Sequence, residues 1–160
     1  MARSNSALRR RSTGAPVVSV APAEHIVAGM ELAILAANET FYDAFRRDDH
    51  AAMDDLWARR APVACIHPGW DALIGRDRVM QSWRAIMENG APLVRCVSPR
   101  VVHLGDTALV ICEEHVAGGR LIATNAFVLE DGRWRMVHHH AGPLGGTDDV
   151  EIEDDPIGAN

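Results

Sequence analysis

Apolar residues recur with two different periods along this chain. In "ELAILAANETFYDAFRRDD" they fall at Ile34, Leu35, Phe41, Tyr42 and Phe45, a spacing that predicts a helix of period 3.6 starting near Met30. "DDHAAMDDLWARRAP" opens on Asp48 or Asp49 as a cap and sets Met53, Leu56 and Trp57 on one face, with Pro62 as the stop. "PVACIHPG" reads as a short strand running into a Pro-Gly turn. "GRDRVMQSWRAIMENG" is a third helix, striped by Val79, Trp83, Ile86 and Met87 and closed by Asn89-Gly90.

Beyond that point the period becomes two. "PLVRCVSPRVVHL", "TALVICEEHVA", "RLIATNAFVLE" and "RWRMVHHHA" alternate as strands do, separated by "GD", "GG" and "EDG". Turns this short join antiparallel neighbours, so the strands predict a meander. Helices followed by one curved antiparallel sheet make an α+β fold, with the helices on one face. The periodic region predicts one domain over residues 29–144. Residues 1–28 lack useful periodicity and read as a disordered tail. Residues 145–160 carry six acids and no base and read as a second, acidic, disordered tail.

Composition narrows the function classes. The net charge is −6, and basic residues gather on no predicted element, which argues against a nucleic-acid partner. No apolar run approaches the ~18 residues of a membrane span. All sixteen basic residues are arginine. Without lysine, Schiff-base catalysis and a Walker-type phosphate lysine are both excluded. Cys65, Cys96 and Cys112 sit in apolar runs without metal-type spacing, as buried, reduced thiols of a cytoplasmic protein would.

The run His138-His139-His140 is internal and lacks a linker, so it is not a purification tag. On a strand His138 and His140 face one way and His139 the other. A zinc ion would need two further ligands, such as Glu114 or His115. No ligand pair with recognised spacing points to one, and neither metal nor cofactor is assigned.

The order of elements resembles the cone-shaped, cystatin-like fold shared by nuclear transport factor two, SnoaL polyketide cyclases and ketosteroid isomerase. "ANETFYDAFRRDDHAAMDDLWA", "CIHPGWDALIGRDRVMQSW" and "TNAFVLEDGRWRMVHHHAG" are similar to a SnoaL-like family of small bacterial proteins. "HPGW" with "GRDRVMQSW", and "DGRWRMVHHH", also resemble the association domain of calcium/calmodulin-dependent protein kinase II. The likeness spans residues 31–144. It implies a conical pocket, open at one end, and a homodimer.

Several residues then become candidates. In isomerase-like members a strand comparable to "VACIH" ends in the aspartate that shuttles the proton. Here His67 stands there, and an imidazole suits a general base at neutral pH; the alternative is a histidine that caps the turn. Those relatives carry a tyrosine on the first helix, where this chain has Phe41. Tyr42 is one residue away, ~100° around the helix, which would turn its phenol out of the cavity. That argues against ketosteroid isomerisation.

Two registers are open at "EDG". A two-residue Asp131-Gly132 hairpin pairs Glu130 with Arg133 and sets Asn125 opposite His138. A three-residue turn with a bulge pairs Leu129 with Arg133 and sets His139 on the face of Asn125. The kinase-domain likeness favours the second, because its matching positions place polar pocket groups at Asn125 and Ala141. Ala141 replaces an arginine, so anion binding does not carry over. The Gly118-Gly119 turn would pair Glu114 with Ala123 and leave Glu114 on the face of Asn125. A carboxylate on so apolar a strand needs a partner, either Asn125 or a histidine inside, or a surface arginine. Trp57 and Trp83 lie on helix stripes, Trp70 at a pocket lip, and Phe127 alternates with Asn125 along the wall.

The reading is a pocket for a small, largely apolar organic molecule. Its catalytic candidates are His67, Glu114, Asn125 and His139, and its substrate-binding candidates are Phe41, Trp57, Trp70, Trp83 and Phe127. The chemistry would be cofactor-independent isomerisation, cyclisation or dehydration of a carbonyl compound. The rival is a non-catalytic binding or homo-oligomerisation module. An Asp-Arg-Asp relay of the epoxide hydrolase kind is not found among the strands.

Overall fold

The computed structural model describes residues 23–145. Helix α1 runs from Ala23 to Arg46, α2 from His50 to Leu56 and α3 from Arg76 to Glu88. The strands are β1 (Ala64–Ile66), β2 (Leu73–Ile74), β3 (Arg95–Leu104), β4 (Thr107–Val116), β5 (Gly119–Glu130) and β6 (Arg133–Pro143). They form one six-stranded sheet in the order β2-β1-β6-β5-β4-β3. This is the expected α+β architecture. The three C-terminal hairpins make the meander, while β1 joins β6 in parallel.

Helix α1 begins at Ala23, well before Met30, so residues 23–28 are helical rather than part of a tail. Hydrophobic periodicity reports burial, and this extension buries little: Ile26, Val27 and Leu32 are exposed. The remainder of both tails lies outside the described residues. Helix α2 starts on Asp49, whose carboxylate accepts from the Ala52 amide at 2.9 Å. It ends at Leu56, ahead of Pro62. Trp57 is already extended, and the Ala58 amide donates to the Met136 carbonyl at 2.9 Å. The sheet edge captures the chain before proline can stop it.

At "EDG" the structure takes the two-residue turn, one of the two left open, but with a bulge that neither alternative placed there; the Gly118 turn differs from expectation. The β5–β6 turn has two residues, Asp131 (φ 52°) and Gly132 (φ 73°), a type I′ geometry that matches strand twist. Glu130 therefore pairs with Arg133. A bulge then intervenes: Phe127 pairs with Met136 but Ala126 with His138. The extra residue brings Asn125 opposite His139, the shared face that the three-residue turn was expected to supply. The β4–β5 turn is Ala117-Gly118, so Val116 pairs with Gly119 and Glu114 with Leu121 instead of Ala123. That slip is two residues, and a shift of two preserves faces.

The inner face of the sheet carries small residues under α1, among them Ala108, Cys112, Ala123 and Ala141, all buried. Trp57, Ile34 and Phe127 fill the closed end of the cone. A second irregularity between Val97 and Arg100, with Ser98 at φ 51° next to Pro99, bends β3. Glu130 fastens the chain after α2 to the sheet, its carboxylate accepting from the amides of Arg59, Arg60 and Ala61 at 3.0, 2.9 and 3.2 Å. No helix among the described residues is long and apolar enough to cross a membrane.

Candidate functional site

Between the sheet and the helices lies a cavity of about 210 Å³. Helix α1 contributes Phe41, Tyr42 and Phe45 to its wall, and α3 contributes Trp83 and Ile86. The end of β1 and the following turn supply His67, Pro68 and Trp70; the sheet supplies Glu114 and His139. Most of this wall is hydrocarbon and aromatic ring, so its few polar groups define the chemistry.

Tyr42 corrects the sequence reading. Its phenol points into the cavity and donates to Glu114 Oε1 at 2.9 Å. The buried sector of α1 is wide enough to hold two consecutive residues. Phe41 leans toward α3 and β6, with ring centroids 5.2 Å from Trp83 and 5.0 Å from His139. Tyr42 leans toward β4, where its hydroxyl also meets Cys112 Sγ at 3.1 Å. The partner of Glu114 is thus a tyrosine, neither Asn125 nor a histidine.

Asn125 does not reach the cavity. It is fully buried behind Tyr42 and His139 and ties them together. Its Nδ2 donates to Asn38 Oδ1 at 2.8 Å and to the Tyr42 hydroxyl at 3.2 Å. Its Oδ1 lies 2.7 Å from His139 Nδ1. Asn125 therefore holds Tyr42 and His139 from behind the cavity wall instead of lining it. Trp57 and Phe127 are not pocket-lining either. Both are fully buried at the closed end of the cone, where Trp57 bridges Met136 and Phe127 sits beyond Asn125. Phe41, Trp70 and Trp83 do line the wall.

His67 is held by α3. Its Nε2 lies 2.9 Å from Ser82 Oγ, and its ring stands edge-on to Trp83 and Trp70 at 4.6 and 4.9 Å. It caps no turn through its side chain; its backbone carbonyl does so, accepting from the Trp70 amide. Of the other two histidines in the run, His138 donates from Nδ1 to the Ala64 carbonyl at 3.2 Å and His140 is exposed. Among the described residues no three His, Cys, Asp or Glu side chains gather as metal ligands.

Burial sets the protonation states. It depresses His67 to about 4. It depresses His139 to about 3, helped by the proximity of His67, His138 and His140. Burial raises Glu114 above the usual carboxylate range, against the hydrogen bond from Tyr42 that favours its charged form. It also raises Tyr42, aided by the neighbouring Glu114. The Cys65 thiol is pushed up to about 12, first by burial, and stays protonated. At neutral pH the cavity holds two neutral imidazoles and a carboxyl displaced toward neutrality.

Asn38, Tyr42 and Ser82 were absent from the sequence candidates. Asn38 and Tyr42 stand i and i+4 on α1, so one polar stripe inside an apolar face was available as a signal. Ser82 left none, because a mid-helix serine bonding back to its own helix looks like any other.

The model of a SnoaL-like domain matches residues 34–144. A structure from Streptomyces avermitilis, provisionally a dehydratase of the nuclear transport factor two-like family, superposes with a TM-score of 0.65. It is 30% identical over 71% of this chain and 95% of its own. A Thiobacillus denitrificans structure, provisionally a calcium/calmodulin-dependent protein kinase type II association domain, gives 0.62. It is 34% identical over 68% of this chain and 93% of its own. The F-box protein SKIP8 of Arabidopsis thaliana is 36% identical over 70% of this chain, which spans 50% of that relative's length.

Proposed function

Because the chain belongs to the SnoaL-like domain family, we propose that its cavity binds a small, largely apolar organic molecule and moves a proton on it without a cofactor. The reaction is isomerisation, cyclisation or dehydration of a carbonyl compound. His67 takes the proton from the carbon next to the carbonyl. Glu114, while protonated, delivers one to the oxygen, or to a departing hydroxyl that leaves as water. The observation that carries this reading is the convergence of His67, His139 and Glu114 on one apolar-walled cavity. Proton delivery leaves a carboxylate in the same cavity as the new imidazolium, so each charge offsets the other where water is scarce. His139 and Tyr42 orient the bound molecule, and Trp70 closes the lip.

The test is α-proton exchange of 2-indanone in deuterated buffer, followed by NMR. The chain should accelerate exchange above buffer. His67→Phe and Glu114→Gln should each lose about 10²-fold or more of that acceleration, with far-UV circular dichroism unchanged. Equal exchange by the folded His67→Phe variant would remove the assigned base.

Assembly is a second reading, supported by a separate observation. Val102, Leu104, Ile111 and Ile122 are exposed on the sheet face opposite Cys112 and Glu114, on which none of the described helices packs. An apolar surface of this kind fits a second copy of the chain, and one structural relative is provisionally an association domain. Sedimentation should report a dimer, and Ile122→Arg a monomer; a monomeric parent chain would sink this reading.

A further inference from the structure

The hydrogen bonds around the two buried imidazoles fix what the cavity offers a ligand. Ser82 has a single hydroxyl hydrogen, and it goes to the Val79 carbonyl at 2.8 Å. The contact at 2.9 Å between Ser82 Oγ and His67 Nε2 therefore runs the other way, with His67 Nε2–H donating. A neutral imidazole carries one hydrogen, so His67 Nδ1 is bare. Cys65 Sγ lies 3.9 Å from Nδ1 and 3.9 Å from Nε2. A sulfur equidistant from both nitrogens sits off the in-plane lone pair of either, and leaves Nδ1 unclaimed.

The tautomer of His139 follows from its amide neighbours. Asn38 spends its Nδ2 on Cys96 Sγ at 3.6 Å and presents Oδ1 to Asn125. Asn125 spends both Nδ2 hydrogens, on Asn38 and on Tyr42. Its Oδ1 is left facing His139, so the 2.7 Å contact is an Nδ1–H donation from His139. His139 Nε2 is then bare in a residue that lines the cavity. Tyr42 directs its own hydrogen to Glu114. Two imidazole lone pairs remain, together with the free oxygen of Glu114, which accepts while ionised and donates while protonated. Among the described residues no arginine lines the cavity, and the chain has no lysine.

We infer that the cavity is an acceptor-lined site for a neutral molecule that brings its own hydroxyl hydrogens, an alcohol or enol on an apolar ring-sized body. This rests on the small-molecule reading above and narrows it: the carbonyl compound also bears a hydroxyl. An anion meets only lone pairs and a carboxyl. A ligand without donors leaves two buried acceptors unpaired, which costs affinity.

Two measurements test it. Long-range proton–nitrogen NMR of the free protein should show His67 as the Nε2–H tautomer and His139 as the Nδ1–H tautomer. The opposite tautomer at His139 overturns the inference and leaves the catalytic proposal standing, whereas the opposite tautomer at His67 overturns both, because Nδ1 then carries the hydrogen and has no lone pair for the proton. Titrations followed by tryptophan fluorescence should then rank a matched set of indane, 2-indanone, 2-indanol, 2-aminoindane and indane-2-carboxylate. 2-Indanol should bind about 10-fold tighter than indane or 2-indanone, and the carboxylate weakest. His67→Phe should reduce that preference while indane binding persists. A ketone that equals the alcohol, or an ammonium that exceeds it, overturns the inference alone. Binding of none sinks the small-molecule reading and this inference with it.

Discussion

Lowering the pH from 7 to 5 should destabilise the folded chain by about 2 kcal/mol for each of His67 and His139. Their folded values, about 4 and about 3, lie below the ordinary 6.5 of an unfolded histidine. As the pH falls through 6.5 the unfolded chain takes up protons that the folded chain refuses, and the balance tips toward unfolding. The contribution is complete above 6.5 and is lost progressively toward the folded values. Glu114 acts in the opposite sense: its raised value contributes stability below the ordinary carboxylate range that is lost as pH rises through the folded value. It therefore softens the acid loss. Asp54 and Asp55 are lowered, so their contributions disappear only in stronger acid, below the ordinary carboxylate value. From pH 6.5 to 5 the buried imidazoles, with His138 lowered by burial in the same sense, act together against the single opposing Glu114. Urea midpoints across this interval should fall for the parent chain, and His139→Phe should be less stable at pH 7 but flatter in slope. A parent chain whose midpoint is level from pH 7 to 5 would contradict the neutral, buried state of both rings.

The same two histidines show how far a sequence carries. His67 was legible through the resemblance, because it ends a short apolar strand where isomerase-like members carry their aspartate, and the structure sets it on the cavity wall. Glu114 was legible from cost, since a carboxylate on an apolar strand must go somewhere polar. The face of His139 was not legible by counting. Of the two turns, that at Gly118 moved by one residue and shifted its pairing by two, harmlessly. The other is followed by a bulge at Val137 that leaves no mark in "RMVHHHAG". Bulges are set by how the sheet bends over α1, a non-local condition. Parallel pairing of β1 with β6 is equally non-local: residues 64–66 meet 138–140 only after the whole meander has formed. Tyr42 was misread for a local reason. A rotation of ~100° decides orientation only if the buried sector of a helix is narrower than that. Helix α1 is flanked by β4 on one side and α3 on the other, so it buries two consecutive residues.

Asn125→Ala should cost about 3–5 kcal/mol of stability, far more than a small side chain usually loses on truncation. The substitution leaves His139 Nδ1–H without an acceptor and Asn38 Oδ1 without a donor, and it removes one hydrogen bond from Tyr42. Each orphaned group costs about 1–3 kcal/mol where no water enters, and a cavity is added. Asn125→Asp is no remedy. It preserves an acceptor for His139 but brings lone pairs against Asn38 Oδ1 and a second acid toward Glu114. Urea unfolding of both variants checks this, and a loss below about 1 kcal/mol for Asn125→Ala would show that water fills the gap or that the network is looser than drawn. Lost activity in Asn125→Ala is accordingly no evidence of a chemical role. A double-mutant cycle with Tyr42→Phe separates the two. A phenol held by Asn125 predicts coupling of about 1 kcal/mol or more between the substitutions. Simple additivity would mean that Glu114 alone positions Tyr42, and that the layer behind the cavity is structural filling.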